Sequence, residues 1–222
     1  MSLTEILVTM NKLTHYLDAL VPVQLTHMHK RPSDKVLIAV IIALGRNNGI
    51  PKMAKISKYI SQGEMERALL YFSPDTVSAA SDKTLAFLDR LPITHIFDRK
   101  DGIRHAAADG QKLTARVDSI LARSSYKYFG NEPGITGYLA QDNRDFLYHS
   151  TVFSPTDREA WYAIDVMVHN NIVKADWLST DTHGVTPLTF ATMHFLGAFF
   201  APRIAGMEKR ARCDLPVVME KF

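Results

Sequence analysis

A single cysteine, Cys213, stands among the 222 residues. No disulfide can close within the chain, so a disulfide-stapled secreted domain is excluded and a reducing cytoplasm is the expected setting. Long apolar runs are missing too. The longest, VLIAVIIAL from Val36 to Leu44, falls well short of the ~20 residues a spanning helix needs and reads as a buried helix, so no membrane partner is expected. The first residues carry no basic stretch followed by an apolar block, and no secretory signal is expected. There is no Gly-rich phosphate-binding loop, and no Cys or His-Glu spacing of the kind that signals zinc. No repeat, low-complexity segment or Gly/Ser linker interrupts the chain. Neither sign of charge dominates. With 26 Lys and Arg against 23 Asp and Glu, the net charge is +3 and the pI near 8.9, a mildly basic balance that permits nucleic acid as a partner without demanding it.

What is present is an ordinary globular composition, long enough for one large domain or two small ones with a real core. Two textures divide it. Over residues 1–91, Leu3, Ile6, Leu7, Met10, Leu13, Leu17 and Leu20 recur at helical spacing. Ser33 is placed to cap a helix through the apolar block, which Asn47-Asn48-Gly49 should stop. Pro51 suits a first helical turn, and Ser73-Pro74 opens another helix that should end before Pro92. From about residue 100 the period becomes two. GIRHAAADG puts His105, Ala107 and Asp109 on one face and Arg104, Ala106 and Ala108 on the other. GITGYLA and FLYHSTVF read as a hairpin joined by Gln141–Asp145. Thr156 and Glu159 have capping-box spacing and should open a helix with Ala160, Ile164, Met167 and Val168 inward. ADWLSTD reads as a strand, Thr186-Pro187 as a helix start running to about Leu196, and FFAPRI as a last short strand. A hairpin followed by alternating helices and strands implies an α/β fold, a mixed sheet with flanking helices, preceded by an all-α region. The boundary is expected near residues 92–102, dividing a helical region, 1–98, from a sheet-bearing core, 99–222.

The carboxylates carry the chemistry. Asp109 is expected at the end of the first strand of the second half, with Gly110 after it. Asp181 is expected at the end of the fourth, before His183-Gly184. Ligands gather outside strand ends in sheets of this kind. An Asp-Gly pair is also an ordinary turn, and Asp before a helix is usually a cap. Thr186 already supplies that cap, which places Asp181 too early for the task. Two aspartates at neighbouring strand ends suit a hard divalent cation such as Mg²⁺, which takes one or two carboxylates and keeps waters; a third acid from a nearby helix usually completes such a site. His183 fits a role beside Asp181, whereas His194, inside an apolar helix, reads as a packed core histidine. Between the first strands, Lys112, Arg116, Arg123 and Lys127 interleave with Tyr126, Tyr128 and Phe129, a pattern that serves phosphates and bases or simply a solvated face.

Four ordered segments, ADGQK (108–112), ARSSYKYFG (122–130), STDTHG (179–184) and FLGAFFAPRI (195–204), resemble the catalytic region of transposases of the Tn-three family. The upstream KVLIAVIIALGRNNGIPKMAKIS and SPDTVSAASDKTLAFLDRLP resemble the helical region before that core, so the likeness covers about residues 5 to 210. It implies a ribonuclease-H-like fold and an Asp-Asp-Glu metal triad that cuts DNA at transposon ends and joins the 3′ hydroxyls to target DNA. Carried across, Asp109 matches the first acid and Asp181 the second, both as catalytic metal ligands for Mg²⁺ or Mn²⁺. Gln111, Lys112 and His183 match positions beside them. Lys112, Arg123, Lys127, His183 and Arg203 are the expected DNA contacts. The implied partners are transposon-end and target DNA, with a homodimer admitted. The family's Glu lies well downstream of the APR motif. Here only Glu208 and Glu220 follow, and nothing around Glu220 resembles the family's Glu motif. Ser125 stands where many relatives carry proline. The expectation is a piece of a transposase lacking its third acid; the alternatives are an inactive remnant that only binds DNA or a full-length transposase, and a small phosphoesterase using Asp109, Asp181 and His183.

Overall fold

A computed structural model describes residues 1–22, 30–97, 102–116, 119–169 and 172–205, apart from the side chains of Phe97 and His183. The chain divides into two compact units, Met1–Thr94 and His95–Phe222.

The first unit is helical throughout its described residues. Helix α1, Leu3–Thr14, opens on a capping box in which the Ser2 hydroxyl accepts from the Glu5 amide at 3.2 Å and Glu5 Oε2 accepts from the Ser2 amide at 2.7 Å. The apolar period runs on to Leu20, but the helix does not. His15 turns into the left-handed region at φ 52° and Tyr16–Ala19 follow as a short 3-10 turn. Helix α2, Asp34–Gly45, buries Val36, Leu37, Ile38, Ala39, Val40, Ile42 and Ala43, that is, nearly its whole circumference. Ser33 holds the N-cap position, yet its side chain makes no capping bond. Gly49 at φ 72° and Pro51 in the first turn start α3, Ile50–Ile56. Helices α4, Gln62–Ala68, and α5, Pro74–Asp89, open on capping boxes from Ser61 with Glu64 and from Ser73 with Thr76. Their apolar faces close on one core around Leu17, Leu37, Val40 and Met65.

The second unit carries the sheet. Its elements are β1 His105–Thr114, β2 Arg123–Ser124, the single turn α6 Tyr126–Phe129, β3 Pro133–Asp142, β4 Leu147–Phe153, α7 Glu159–Val168, β5 Trp177–Ser179, α8 Pro187–Phe195 and β6 Phe199–Phe200. Strand β3 lies antiparallel between β1 on one side and β4 and β2 on the other, while β5 and β6 add parallel beyond β1. Parallel neighbours need a long return, and α7 and α8 stand in the two connections. The architecture is the expected mixed sheet with flanking helices, consistent with a ribonuclease-H-like fold. Strand β3 alternates strictly, with Gly134, Thr136, Tyr138, Ala140 and Asp142 buried. Tyr138 meets Phe153, which stacks on Tyr162 of α7 at 3.6 Å between ring centroids. The hairpin between β3 and β4 is fastened by a buried ion pair. Asp142 accepts from the amides of Arg144 and Phe146 through Oδ1 and from Arg144 Nε through Oδ2, with an Arg144 terminal nitrogen 2.7 Å away.

Three local expectations change. Strand β1 continues five residues past Asp109 to Thr114, so Asp109 sits inside a strand. Helix α7 starts at Glu159 after Arg158, with no side-chain cap, and the Thr156 hydroxyl instead meets Ser154. The buried face of α7 is Glu159, Ala160, Ala163 and Val166; Val168 is exposed.

Candidate active site

Strands β1 and β5 run parallel in the register His105 with Trp177, Ala106 with Leu178 and Ala107 with Ser179. Asp109 and Asp181 each lie two residues beyond the last of these pairs. Because strand side chains alternate, Asp109 keeps the face of Ala107 and His105, while Asp181 lies past the end of β5 on the adjacent chain segment. A bond on that face marks the alignment: His105 Nε2 meets Ser179 Oγ at 2.7 Å. Ser179 Oγ gives its one hydrogen to the Ala201 carbonyl, so the imidazole Nε2 carries the proton of the shared bond. The parallel pairing ends at Ala107, and β1 continues with β3 alone. Asp109 therefore lies inside β1, paired with Leu139 of β3 and two residues past the end of the pairing with β5, and not at a strand end as expected.

Asp109 is exposed, and its Oδ1 accepts from the Gly110 amide at 2.8 Å. It is the one charged residue lining a concavity of about 430 Å³ with Ala107, Gln111, Leu139, Gln141 and Leu147. Asp181 is half-buried and leads into a 3-10 turn, Thr182–Gly184. Gly184 is required there, since a Cβ would stand 2.5 Å from Thr180 Oγ1. The segment is tied down on its far side as well. The Arg203 amide donates to the Thr180 carbonyl, and the Thr182 hydroxyl donates to the Arg203 carbonyl while accepting from the Ala205 amide. Helix α8 is capped by Thr186, whose hydroxyl accepts from the Thr189 amide at 3.0 Å. Asp181 is thus not the cap of that helix.

A buried carboxylate, not singled out as a site residue in the sequence, lies over Gly110 on the face of β1 opposite to Asp109. Glu159, in the first turn of α7, is 7% exposed, and its Oε1 accepts from Lys112 Nζ at 2.8 Å. Gly110 makes the room for it: a Cβ there would lie 3.0 Å from Glu159 Oε1. Tyr138, paired across the sheet with Gly110, reports on all three acids. Burial raises its phenol pKa well above the ordinary value, and the charges of Glu159, Asp181 and Asp109, in that order, raise it further. Its hydroxyl is buried without a hydrogen-bond partner among the described residues. The signal in the sequence was the glycine after Asp109, which reads as a turn and serves instead as clearance for a carboxylate.

Among the described residues no three His, Cys, Asp or Glu side chains are gathered tightly enough to cage a metal ion alone. The donor chemistry still fits a hard divalent cation, which takes one or two carboxylates and completes its shell with water and phosphate oxygens. The other expected residues are dispersed. Arg123 on β2 and Lys127 on α6 are exposed. Lys127 Nζ lies 4.7 Å and Lys112 Nζ 4.5 Å from the centre of the Tyr128 ring, within cation–π range. Arg203 is exposed beside Thr180 and Thr182. His194 is exposed on α8 against Phe195, which corrects the expectation of a core histidine: the inner face of α8 is Thr189 and Met193. The side chain of His183, and Cys213, Glu208 and Glu220, lie outside the described residues.

The family model of the Tn3 transposase DDE domain matches residues 5–216. The chain belongs to this family. It is 28% identical over 183 residues to the transposase for transposon Tn2501 of Escherichia coli, covering 81% of the chain and 18% of that protein. It is 25% identical over 188 residues to the transposase for transposon Tn1546 of Enterococcus faecium, covering 82% and 19%, and 27% identical over 172 residues to that for Tn501 of Pseudomonas aeruginosa, covering 76% and 17%. The chain thus spans under a fifth of the length of these curated relatives. The resemblance read from ADGQK and STDTHG is therefore a family membership, and a DDE domain implies the use of a divalent metal. No helix of the described residues is long and apolar enough to cross a membrane.

Proposed function

We propose that the chain is the metal-binding part of a transposase catalytic domain, acting with transposon-end and target DNA in strand cleavage and strand transfer. The observation that carries the reading is the register of β1 with β5, in which Asp109 and Asp181 follow the Ala107–Ser179 pair by the same two residues. On this reading the two carboxylates hold Mg²⁺ or Mn²⁺ between them. A divalent ion bound there would activate an attacking oxygen and offset charge on the phosphate under attack. Asp109 Oδ1 is engaged by the Gly110 amide, and the backbone of the segment carrying Asp181 is fastened to residues 203–205. Arg123, Lys127 and Arg203, all exposed, neutralise DNA phosphates, and Tyr126, 88% exposed, offers a face for a base. His183 stands two residues after Asp181 in sequence and is assigned to orienting a phosphate. The setting is the cytoplasm, where host DNA and reduced thiols coexist.

The test is Mn²⁺ titration of the purified chain beside cleavage of supercoiled DNA carrying transposon ends. Mn²⁺ binding that is lost in Asp109→Asn and Asp181→Asn, with nicking at most weak because no third acid joins the pair among the described residues, is the expected result; unchanged metal affinity in Asp109→Asn refutes the site. DNA binding that ignores chelator, with no nicking at any metal concentration, selects instead the reading of a chain that only binds.

A further inference from the structure

We propose that Lys112 is a positioning residue of the DNA surface: held by Glu159, its ammonium seats the Tyr128 ring, and with it the α6 turn that presents Lys127, and does not itself touch a phosphate. The proposal rests on the reading of Lys127 as a phosphate contact and deepens it.

One face of the sheet carries the argument. Side chains of β1 and β3 alternate. The register of Gly110 with Tyr138, Lys112 with Thr136 and Thr114 with Gly134 therefore sets three pairs in a row on the face away from Asp109. Each outer pair includes a glycine, and each glycine seats a side chain from another element. A Cβ at Gly110 would lie 3.0 Å from Glu159 Oε1 of α7, and one at Gly134 would run into the Phe129 ring of α6. Lys112 stands between the two seats.

Its side chain spans that gap. Nζ donates to Glu159 Oε1 at 2.8 Å and lies 4.5 Å from the centre of the Tyr128 ring, within cation–π range. The Lys112 side chain is 19% exposed and that of Glu159 8%, so the ammonium is already neutralised by a partner that water barely reaches. Lys127 differs. It is exposed, and its Nζ lies 4.7 Å from the centre of the same ring. The Tyr128 ring thus couples an inner ammonium to an outer one. Helix α6 is a single turn of four residues, too short to hold its shape by backbone bonding alone. Its place on the sheet comes from Phe129 against Gly134 and Tyr128 against Lys112. Glu159 fixes the sign of the test. Were Lys112 a phosphate contact, the Glu159 carboxylate would compete with DNA for it, and its removal would tighten binding. Where Lys112 positions α6, its removal releases the ammonium and weakens binding.

The experiment is fluorescence-anisotropy titration of a fluorescein-labelled duplex of arbitrary sequence with the 222-residue chain at several salt concentrations, with circular dichroism as the check on folding. Wild type, Lys127→Ala, Lys112→Met, Glu159→Leu and the Lys112→Met/Lys127→Ala double variant are compared. We expect Lys127→Ala to weaken binding and to flatten the log–log salt dependence by about 0.9, the share of one phosphate contact. Lys112→Met should reproduce both effects, and the double variant should bind no more weakly than Lys127→Ala, because the two residues act as one contact. A mere loss of folding would instead add to the Lys127→Ala loss and leave the slope alone. Glu159→Leu should weaken binding. Wild-type affinity in Lys112→Met, a further loss in the double variant, or unchanged or tighter binding by Glu159→Leu overturns the inference and leaves the Lys127 contact standing. No binding by wild type, or wild-type affinity in Lys127→Ala, removes that contact and the inference with it. A second readout needs no DNA. The Lys112 ε-methylene protons, beside the Tyr128 ring, should resonate upfield in wild type and return to ordinary shifts in Tyr128→Leu; ordinary shifts in wild type overturn the inference. If Lys112→Met does not fold, Lys112→Met combined with Glu159→Leu replaces the buried pair by apolar groups and takes its place in each comparison.

Discussion

In the helical unit the buried side chains are Leu17, Leu37, Val40, Met65 and other apolar groups, with Thr76 and Thr94 as the polar exceptions; in the sheet unit Thr136, Asp142, Arg144, Glu159, Thr180 and Thr189 are buried beside Tyr138, Phe153 and Leu178. Among the described residues every buried charge lies in the sheet unit. The helical unit is held by burial of area, a non-directional force that tolerates repacking. The sheet unit also has to satisfy groups that cost free energy when misplaced. Its buried polarity falls in two places. One is the Asp142–Arg144 pair, whose bonds close back on the hairpin. The other is the Glu159–Lys112 pair, which joins the first turn of α7 to β1.

Breaking the first of these pairs should have the largest effect. Arg144→Met leaves Asp142 buried without its guanidinium and should cost about 3–5 kcal/mol. Both tryptophans, Trp161 and Trp177, belong to the sheet unit, so urea titration followed by their fluorescence reads that loss directly. Leu37→Ala is the counterpart in the helical unit. Leu37 is fully buried, and the truncation should cost about 2–5 kcal/mol, read as an earlier loss of far-ultraviolet helical dichroism. A smaller cost, about 1–3 kcal/mol, is expected from Gly110→Ala, which overpacks the contact with Glu159. If that variant is neutral, the glycine is not the clearance that the carboxylate requires.

The gentlest test is alkaline titration. Burial, helped by the Asp34 charge, pushes Tyr16 of the helical unit up to about 12 from an ordinary 10.0. Burial raises Tyr138 and Tyr148 of the sheet unit as well. A phenol whose folded pKa exceeds its unfolded one keeps its proton longer in the folded chain. Its stabilisation is complete below about pH 10 and is lost as pH climbs toward the folded value. Unfolding should therefore become easier above pH 10, and Tyr16→Phe should remove that slope from the helical dichroism alone while leaving the fluorescence transition sloped.

The helical unit was the more legible in sequence because its signals are local. Ser73 with Pro74, Gly49 with Pro51, and the stop before Pro92 each act within one turn. The failure there, at His15, came from a left-handed residue that apolar spacing does not reveal. In the sheet unit the alternation of residues 103–110 and the hairpin were equally plain, and so were the two aspartates. The register of β1 with β5 was not, since parallel pairing is decided by the packing of α7 and α8 and leaves no local mark. Glu159 went unseen for a related reason. Its spacing from Thr156 imitates a capping box, and its actual partners, Lys112 and Gly110, are distant in sequence and meet it only through the fold. His194 reversed the same lesson: an apolar sequence context did not place it inside.

The central claim is that Asp109 and Asp181 share one divalent ion. Fe²⁺ with ascorbate and peroxide cuts the backbone near wherever the metal binds. Mapping those cuts in the intact chain tests the claim most directly. The account predicts cleavage clustered around residue 109 and around residue 181 together, with both clusters lost in Asp109→Asn and both suppressed by excess Mg²⁺. Cleavage near one aspartate alone, or at both in a variant lacking the other, would contradict it.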